Sequence, residues 1–530
     1  MQFDSHDINR DSGSKGGACC GHPDERAAGI SRRSLLGGIG GAAAVGGLAM
    51  LAASRAQAAE AGQSAGSGLP MGAPLKVKPA LMYSIPQRRE KTSWRPYGGI
   101  LTEEDLAAEV ARVEQDLAKL SSQAEFRLEM QPPAMVAGPD QAKSVASSDA
   151  DAIVLFAAGG DQAWLETIAA SGKPVVMFVR HKSGPVYLYY EIVHWRWLRK
   201  NEDLIKETRI GVDDIVVDDA GEILWRLRAL HGLKNAKGTR CVAIGGLRAY
   251  SVPGQQKGPD HVKQVWGYEL ITVPDEDVAE QLAKARKDES AMKEIRRQAD
   301  EFLAQPNVDS SIEKRFVENS FLALRIFKEI MKANGAANLG VAHCMGSLIG
   351  LLDTAPCLVL SMLNDEGFTA FCHTDYTHTA PGVLMRWISG KPSFVCNTHF
   401  PHDGVITLAH CAAPRRMNGR DYAPTKIMTH FESDYGTATK VEYDKGQVVT
   451  VIIPNLNCTK WFGFRGRIVD SPHYDMCRSQ MDVAIDGDWR RMAREMQGFH
   501  AVVTYGDYLR EVGYVLGKVG IEWQDFSEKA

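Results

Sequence analysis

Apolar side chains recur at helical spacing in the first third of the chain. Leu106 begins a stripe that continues at steps of four and three residues, with Val110, Val113, Leu117 and Leu120. The acidic residues 103–105 follow Thr102 and would complement the positive end of a helix dipole. The pattern predicts an amphipathic helix that begins after Thr102 and packs its apolar face on a sheet.

Short apolar runs alternate with helical segments through the first two thirds of the chain. The runs are Ala152–Phe156, Pro174–Val179 and Arg240–Ile244. Such runs, joined by helices, are typical of parallel sheets with right-handed crossovers. We therefore predict an α/β fold with two Rossmann-like, parallel-sheet domains, over residues 75–235 and 236–370.

Two helices are predicted in the second of these domains. A long charged helix is expected from Asp275 to about Ala304. The next helix is expected to open at Ser310, with Glu313 three residues later as in a capping box. It is expected to stop at Gly335, because glycine readily adopts the conformation that ends a helix.

The pattern changes beyond Lys391. Two helical segments close the chain, near Asp488–Met496 and Tyr508–Val519. Before them, short β-rich runs divided by Gly, Asn and Asp are typical of a barrel or a sandwich. We predict a β-rich, barrel-like C-terminal domain over residues 371–530. Its runs are Ser393–Phe400, Val405–Cys411, Thr425–Glu432, Thr439–Tyr443, Gln447–Pro454 and Trp461–Ile468.

Composition favours a globular protein with a small ligand. The chain has 530 residues, of which 44% are hydrophobic and 24% charged, and its formal net charge is -4. That charge provides no electrostatic footprint for nucleic acid. The sequence contains neither a G-x-G-x-x-G motif with the required context nor G-x-x-x-x-G-K-[ST], so we expect no nucleotide cofactor.

The N-terminus has the pattern of a twin-arginine export signal. Arg32 and Arg33 precede a Gly/Ala-rich apolar stretch, and a small-x-small cleavage pattern ends at Ala58. We predict a signal peptide over 1–58, a linker over 59–74, and a periplasmic or otherwise exported protein that engages the twin-arginine translocase. An uncleaved membrane anchor is the alternative, because the apolar run approaches the ~20 residues of a span.

The cysteines match no familiar motif. Ten occur, two of them within the predicted signal. The other eight have neither CxxC pairs nor zinc-ribbon spacing. A disulfide framework is not expected in a large chain that folds before export. We therefore expect most of the eight to be small, buried, apolar residues.

Candidate metal ligands concentrate between Pro356 and Cys411. Short apolar runs alternate there with Gly, Pro and Asn, which places polar groups at strand ends and in loops. Protein scaffolds usually present their chemistry at such positions. The candidates are Cys372, His373, Asp375, His378, His399, His402 and His410.

Five ordered motifs resemble the L-fucose and L-arabinose isomerase-like sugar isomerases. The motifs are PC-apolar-LND-EG-x-x-A-x-C-x-x-D from Pro356, GKPSF from Gly390, LAHC-x-x-P from Leu408, MCRSQMDV from Met476 and GFHAVVTYGDY from Gly498. The resemblance implies two α/β domains followed by a β-rich domain, a symmetric homo-oligomer and aldose–ketose isomerisation. It also implies a divalent metal held by two acidic residues and a histidine.

The resemblance carries two of this chain's residues to the metal. Asp375 matches the aspartate that ends the family's C-E-x-D motif, and His500 matches the histidine of GxH-x-x-x-x-YGD. Two acidic positions differ, because His373 replaces a glutamate and residues 342–347 lack the second acid. His373, two residues before Asp375 on an extended segment, faces the same side and would complete a His/Asp/His site. Such a site is expected to hold Mn²⁺, with Zn²⁺ or Fe²⁺ as alternatives; loss of the metal is the other reading.

Further candidates complete the predicted site. We assign catalysis to Asp375, His373 and Glu366, the last as a base beside a glycine turn. Arg478 would hold an anionic group through paired hydrogen bonds, with a structural ion pair as the alternative. The predicted substrate-binding residues are His399, His410 and Arg478.

These residues lead to one preferred function and two alternatives. We expect a metal-dependent ketol isomerase that acts on a small sugar or sugar derivative through an ene-diol. One alternative is a non-catalytic carbohydrate-binding protein on the same scaffold. The other is a metal-assisted lyase or hydrolase acting on glycosides, which ligation by His373 would favour.

Overall fold

The structure, a computed structural model, describes residues 72–96, 99–198 and 210–528. The predicted signal peptide, the anchor alternative and nearly all of the predicted linker lie outside the described residues. None of the helices in the described ranges has both the length and the hydropathy of a membrane span.

Six parallel strands form the first sheet. They are β1 (Leu75–Met82), β2 (Leu128–Met130), β3 (Ala134–Val136), β4 (Ala152–Ala157), β5 (Val175–Val179) and β6 (Ile215–Val217). Their order is β2-β1-β4-β5-β6, with β3 also paired to β1. β4 and β5 are buried along their whole length, as expected for a parallel sheet covered on both faces.

Helices flank this sheet, and the first begins where the sequence predicts. Thr102 accepts a hydrogen bond from the Asp105 N–H, and the Asp105 carboxylate accepts one from the Thr102 N–H. The buried face also contains Glu109, whose carboxylate accepts hydrogen bonds of 2.6 Å from both Arg180 and Tyr187. The α-helices are α1 (Glu103–Gln123), α2 (Pro139–Ala146), α3 (Gln162–Ala169), α4 (Leu188–Val193) and α5 (Gly221–Ala236), with a π-helical turn at His194–Leu198 and a 3-10 turn at Val212–Asp214.

The second sheet is also parallel and is shorter. Its strands are β7 (Arg240–Ile244), β8 (Glu269–Val273), β10 (Asn338–Val341) and β11 (Thr369–Phe371), whereas β9 (Val308–Ser310) belongs to another sheet. The order is β8-β7-β10-β11. The chain therefore reverses its direction of winding between β7 and β10. The predicted α/β fold with two parallel sheets is confirmed.

Two predicted helices of this region have different bounds in the structure. The expected helix from Asp275 to Ala304 is two helices, because Asp288 leaves helical geometry and caps the second by accepting from the Ala291 N–H. Ser310 ends β9 rather than opening a helix, and the next helix begins after Glu313. The helices are α6 (Val252–Trp266), α7 (Asp275–Lys287), α8 (Glu289–Leu303), α9 (Lys314–Ala333), α10 (Ser347–Leu352) and α11 (Cys357–Asp365).

A closed antiparallel barrel of six strands follows, as the sequence predicts. The barrel strands are β12 (Phe394–Thr398), β13 (Val405–His410), β16 (Val448–Pro454), β17 (Lys460–Asp470), β18 (Ser479–Asp486) and β19 (His500–Tyr505). Their order is β16-β19-β12-β13-β18-β17, and β17 pairs with β16 to close the barrel. A last strand, β20 (Glu522–Asp525), runs parallel to β17.

Two predicted β-runs lie outside the barrel. β14 (Thr425–His430) and β15 (Tyr435–Val441) pair with each other, and β14 also pairs with β9. These three strands form a separate small sheet. Helix α12 (Tyr376–Ser389) precedes the barrel. The two predicted closing helices are present as α13 (Trp489–Glu495) and α14 (Leu509–Val519).

Helix α12 was not predicted and is central to the arrangement. It follows β11 after the segment 372–375 and is buried along nearly its whole length, in contact with α5 and α6. At Gly382 an added Cβ would lie 2.2 Å from a ring carbon of Phe371. Glycine therefore permits the close packing of α12 on β11, which fixes the segment 372–375 between them.

Candidate metal centre

The carboxyl ends of β7, β10 and β11 meet at one edge of the second sheet. In open α/β sheets, ligands bind outside the carboxyl ends of strands where the winding reverses. Here that place lies between β7 and β10, and the loop after β11 reaches it with residues 372–375. An added Cβ on Gly340 would lie 2.7 Å from the His373 carbonyl oxygen, so glycine in β10 allows this loop to approach.

Asp375, His378 and His500 form the first of two groups of potential metal ligands. Their ligand atoms all lie within 4.8 Å of one another. Asp375 caps α12, His378 is in the first turn of that helix, and His500 is the first residue of β19. The group therefore joins the second sheet to the barrel. Proximity of Asp375 to His500 was the central requirement of the sequence-based hypothesis.

Two backbone N–H groups orient the Asp375 carboxylate. One oxygen accepts from the Thr377 N–H at 2.9 Å, and the other accepts from the Tyr250 N–H at 3.0 Å. A carboxylate oxygen has two lone pairs, so each oxygen can still bind a cation. Hydrogen bonds of this kind hold a metal ligand in one orientation.

His378 is fully buried, yet neither ring nitrogen has a hydrogen-bond partner among the described residues. His500 is also buried, and its Nε2 atom is likewise unpartnered. A buried polar group without a partner destabilises a fold by about 1–3 kcal/mol. These nitrogens therefore indicate a site for an ion or a polar ligand.

The imidazoles of this region are held neutral. Burial, together with the neighbouring imidazoles, lowers the pKa of both His378 and His500 well below the usual value. Burial also lowers the pKa of His373, with a smaller contribution in the same direction from Arg248 and an opposing one from Asp375. A neutral imidazole has a free lone pair, which is the form that binds metals.

Cys372, His373 and His410 form the second group, again with ligand atoms within 4.8 Å. The Cys372 Sγ atom lies 3.5 Å from Nε2 of His410 and 4.0 Å from Sγ of Cys344. His373 connects the two groups, because its ring centroid lies 4.8 Å from that of His500 and 6.0 Å from that of His410.

Aromatic and basic side chains border the first group. Tyr250 is 63% exposed, stacks on Phe499 at 5.0 Å and meets the His500 ring edge-on at 5.3 Å. Arg248 approaches His343, with 2.6 Å between a guanidinium nitrogen and Nδ1. These residues supply an aromatic face and a positive charge beside the candidate metal ligands.

Several residues that the sequence proposed lie elsewhere. Glu366 precedes β11, whereas the ligands follow that strand, and its carboxylate pairs with Lys328. His399 contacts the Thr407 carbonyl oxygen, and His402 is an exposed loop residue. Arg478 donates a hydrogen bond to the Thr429 carbonyl oxygen. Four predicted residues therefore lie outside both ligand groups: Glu366, His399, His402 and Arg478.

Three residues at the site had no place in the predicted His/Asp/His site, although His378 was among the candidate metal ligands. His378 was only a candidate ligand by density, and Arg248 and Tyr250 were not considered. A signal for His378 exists, because Asp375 is an acceptable helix cap and a histidine three residues later faces the same side. The sequence indicates the position of Tyr250 only weakly, because its one local feature is that it precedes Ser251, the residue that caps α6.

The donor set fits a transition metal. Bonds of about 2.0–2.2 Å to nitrogen and oxygen place donors about 3–4 Å apart around one ion. The 4.8 Å limit within the first group therefore requires only a small inward movement of the side chains. Two imidazoles with one carboxylate suit Fe²⁺, Mn²⁺ or Zn²⁺ better than Mg²⁺.

No protein-family model matches the sequence, and no curated protein matches it. A function for this chain is therefore inferred from the geometry of the two ligand groups. The resemblance to sugar isomerases stays a prediction.

Proposed function

We propose that this chain is a divergent, metal-dependent member of the sugar ketol-isomerase family that acts on a small sugar or sugar derivative. The proposal includes Rossmann-like parallel sheets, a homo-oligomer and export through the twin-arginine route. It is supported by the meeting of Asp375 and His500, which the family motifs require and which stand far apart in the sequence.

The observation that carries the proposal is the unpartnered imidazole of His378. A side chain with two polar atoms in a fully buried position is destabilising unless something binds it. A cation held by Asp375, His378 and His500 would bind one nitrogen. The other nitrogen would remain available to a water molecule or a substrate hydroxyl.

Each residue of the site has a distinct proposed task. Asp375, His378 and His500 would hold the cation, which when bound polarises neighbouring carbonyl and hydroxyl oxygens of the substrate. The hydrogen bonds from Thr377 and Tyr250 to Asp375 keep the carboxylate facing the two imidazoles.

His373 is the proposed base. Isomerisation moves a proton between adjacent carbons, so it needs a group that accepts the proton and returns it. His373 is half-buried beside His500, and its lowered pKa leaves a ring nitrogen unprotonated at neutral pH. One ring nitrogen can therefore take the proton from the hydroxyl-bearing carbon while the carbonyl oxygen gains a proton, which gives the ene-diol. Return of the proton to the neighbouring carbon, with loss of a proton from the other oxygen, completes the isomerisation.

The surroundings of His373 suit an oxygen-rich substrate. The exposed Tyr250 ring, backed by Phe499, offers a flat apolar face to the C–H side of a sugar. Arg248 adds positive charge next to His373. A sugar acid would use both features, since its carboxylate could accept from the guanidinium.

A metal-assisted lyase or hydrolase acting on glycosides is the second candidate. It is favoured by the number of imidazoles around the site and by the position of Glu366 outside it. An imidazole-rich site can bind Zn²⁺ and activate a water molecule. Binding without catalysis is the remaining alternative and predicts no product of any kind.

A panel of aldoses, ketoses and sugar acids tests the proposal. The full chain is stripped with a chelator, reloaded with Mn²⁺, Fe²⁺ or Zn²⁺, and incubated with each sugar, and products are separated and weighed by mass spectrometry. We expect a product of unchanged mass, dependent on metal and lost in His373→Gln. Exposed His402 provides the control, because His402→Gln should keep full activity.

Other outcomes separate the candidates. A product that differs from the substrate in mass supports the lyase or hydrolase. Ligand-induced thermal stabilisation without a product supports a binding protein. Absence of both a bound metal and a product would reject the proposed isomerase.

A further inference from the structure

Cys372 of the second ligand group lies beside a further thiol, Cys344, and the proposed isomerase reaction uses neither of them. Cys372 follows β11, and Cys344 belongs to the loop after β10. His410, at the end of β13, completes the set. Three elements of the fold, two from the second sheet and one from the barrel, therefore contribute one soft ligand each.

The two distances from Cys372 to its neighbouring ligands are close to those of tetrahedral coordination. Zinc bonds of about 2.3 Å to sulfur and about 2.05 Å to nitrogen place two sulfurs about 3.8 Å apart, and a sulfur and a nitrogen about 3.6 Å apart. The corresponding distances here are 4.0 Å between Cys344 and Cys372 and 3.5 Å between Cys372 and His410.

We propose that Cys344, Cys372 and His410 form a second metal site, which takes a thiophilic divalent ion such as Zn²⁺. Thiolate and imidazole ligands select such ions over Mg²⁺ or Ca²⁺. His373 stands between this site and the first, with its ligand atom within 4.8 Å of both Cys372 and His410. The site is independent of the reaction proposed above.

The surrounding structure is consistent with a metal site. Cys372 and His410 are buried, whereas Cys344 is partly exposed, so an ion can enter from the side of the β10 loop. His343, the residue before Cys344, has a positive φ of 51°, which is unusual for a residue with a side chain. Such backbone conformations persist where the fold must aim a particular side chain.

His410 must shift its proton to bind an ion. Nδ1 now accepts a hydrogen bond from the Cys411 N–H at 2.9 Å, so the neutral ring carries its proton on Nε2, towards Cys372. Binding at Nε2 moves that proton to Nδ1 and removes this one hydrogen bond. Three bonds to the ion replace it, and the two thiol protons pass to solvent.

Cobalt titration tests the second site with a spectroscopic probe. The full chain, reduced and stripped of metal, is titrated with Co²⁺, whose bonds to thiolates give a charge-transfer band in the near ultraviolet. We expect Co²⁺ to develop this band, with two ions bound per chain at saturation, and Zn²⁺ to abolish it by displacement. Cys344→Ser and Cys372→Ser should each lose the band, with far-ultraviolet circular dichroism unchanged as evidence of folding.

Two variants separate this site from its surroundings. Cys241→Ala removes a buried thiol at the opposite end of the second sheet and should keep the band. His378→Leu removes a ligand of the first centre and should also keep the band while total bound metal falls from two ions to one. Failure of the isomerase proposal would leave these spectra unchanged.

Three results would overturn the second site. One is absence of the band in a reduced, folded chain with free thiols. Another is a band that survives in Cys372→Ser. The third is a native chain whose mass is lower by two hydrogens and whose digest contains the Cys344 and Cys372 peptides linked together. Those masses would identify a disulfide between the two cysteines.

Discussion

The Asp375 carboxylate accepts a hydrogen bond of 3.0 Å from the backbone N–H of Tyr250. This bond connects the loop after β7 to the loop after β11 across the point where the second sheet reverses its winding. The other carboxylate oxygen caps α12 through the Thr377 N–H. One side chain therefore positions both the exposed Tyr250 ring and the helix turn that carries His378.

Substitutions of Asp375 separate its structural role from its proposed role as a ligand. Asp375→Ala removes both backbone contacts and should lower the free energy of unfolding by about 1–2 kcal/mol. Asp375→Asn keeps one oxygen for the cap and should be less destabilising. Both variants should lose the rise in Tm that Mn²⁺, which thiolates bind poorly, gives the parent chain, as measured by thermal denaturation.

Asp161 provides the matched control for this experiment. Asp161 is exposed and caps α3, a helix that flanks the first sheet, by accepting a hydrogen bond of 2.9 Å from the Ala163 N–H. Asp161→Ala should reduce stability by a similar amount and keep the whole metal-induced rise in Tm. A full rise in Asp375→Asn would contradict the assignment of Asp375 as a ligand.

His378→Leu should stabilise the metal-free protein. The substitution replaces two unpartnered buried nitrogens with apolar atoms of similar volume, and such nitrogens destabilise a fold by about 1–3 kcal/mol. Urea denaturation of the stripped protein measures the change. The same variant should bind less metal, so the order of stability should reverse once the ion is added.

A loss of stability in metal-free His378→Leu would contradict this account. It would mean that the imidazole already has a favourable partner in the absence of an ion. His402→Leu, at an exposed loop position, is the control and should change neither stability nor metal binding.

Stability of the metal-free protein should fall as the pH decreases below about 6.5. Burial lowers the pKa of His410 to about 3 and lowers those of His378 and His500 well below normal. The unfolded chain therefore binds protons near pH 6.5 that the folded chain does not bind until lower pH. Each histidine therefore contributes fully to the free energy of unfolding above that pH. Its contribution decreases by up to about 1.4 kcal/mol for each pH unit below it.

Removal of one histidine isolates its share of this dependence. Urea denaturation of the stripped parent and of His378→Leu at pH 7.5 and pH 5.5 should give a smaller difference in the variant, by about one histidine's contribution. If the free energy of unfolding changed equally with pH in the two proteins, the pKa of His378 would not differ between the folded and the unfolded chain.

The sequence predicted the sheets and the barrel because each has a strong local pattern. The apolar runs of β4, β5 and β7 are buried on both faces, and the short β-rich runs after residue 391 alternate with turn residues. Asp375 and His500 were found through the order of motifs. Their proximity depends on barrel strand β19 lying against α12, the helix after β11, which no local pattern contains.

The place of His378 in the first ligand group depends on tertiary structure. The segment that begins at Tyr376 contains threonines, Pro381 and Gly382, which indicate a loop, yet it forms a helix because it is buried between α5, α6 and β11. His378 is in that helix. Glu366 is close to the ligands in sequence but is separated from them by the length of β11.

The thiols illustrate the same limit. Cys344 and Cys372 are 28 residues apart and share no motif spacing. They come together because β10 and β11 are neighbouring parallel strands whose carboxyl ends face the same edge. A pair of this kind follows from the order of strands in the sheet, and that order could not be read from the cysteine spacing.

Gly382→Ala should weaken both the fold and the metal centre. The new Cβ would lie 2.2 Å from a ring carbon of Phe371, so α12 or β11 must shift to accommodate it. Overpacking of this kind destabilises by about 1–3 kcal/mol. The shift should also displace the segment 372–375 between these elements, so we expect weaker metal binding by calorimetry together with a lower Tm.

Two further variants test whether the close contact is the cause. In Gly350→Ala the added Cβ meets nothing within 4 Å, and alanine favours helix α10, so stability should be unchanged or rise by up to about 1 kcal/mol. In the double variant Phe371→Leu with Gly382→Ala, the smaller side chain makes room for the Cβ. Metal affinity should then recover towards that of Phe371→Leu alone; a Gly382→Ala chain that binds metal normally would mean that the packing of α12 on β11 does not position the ligands.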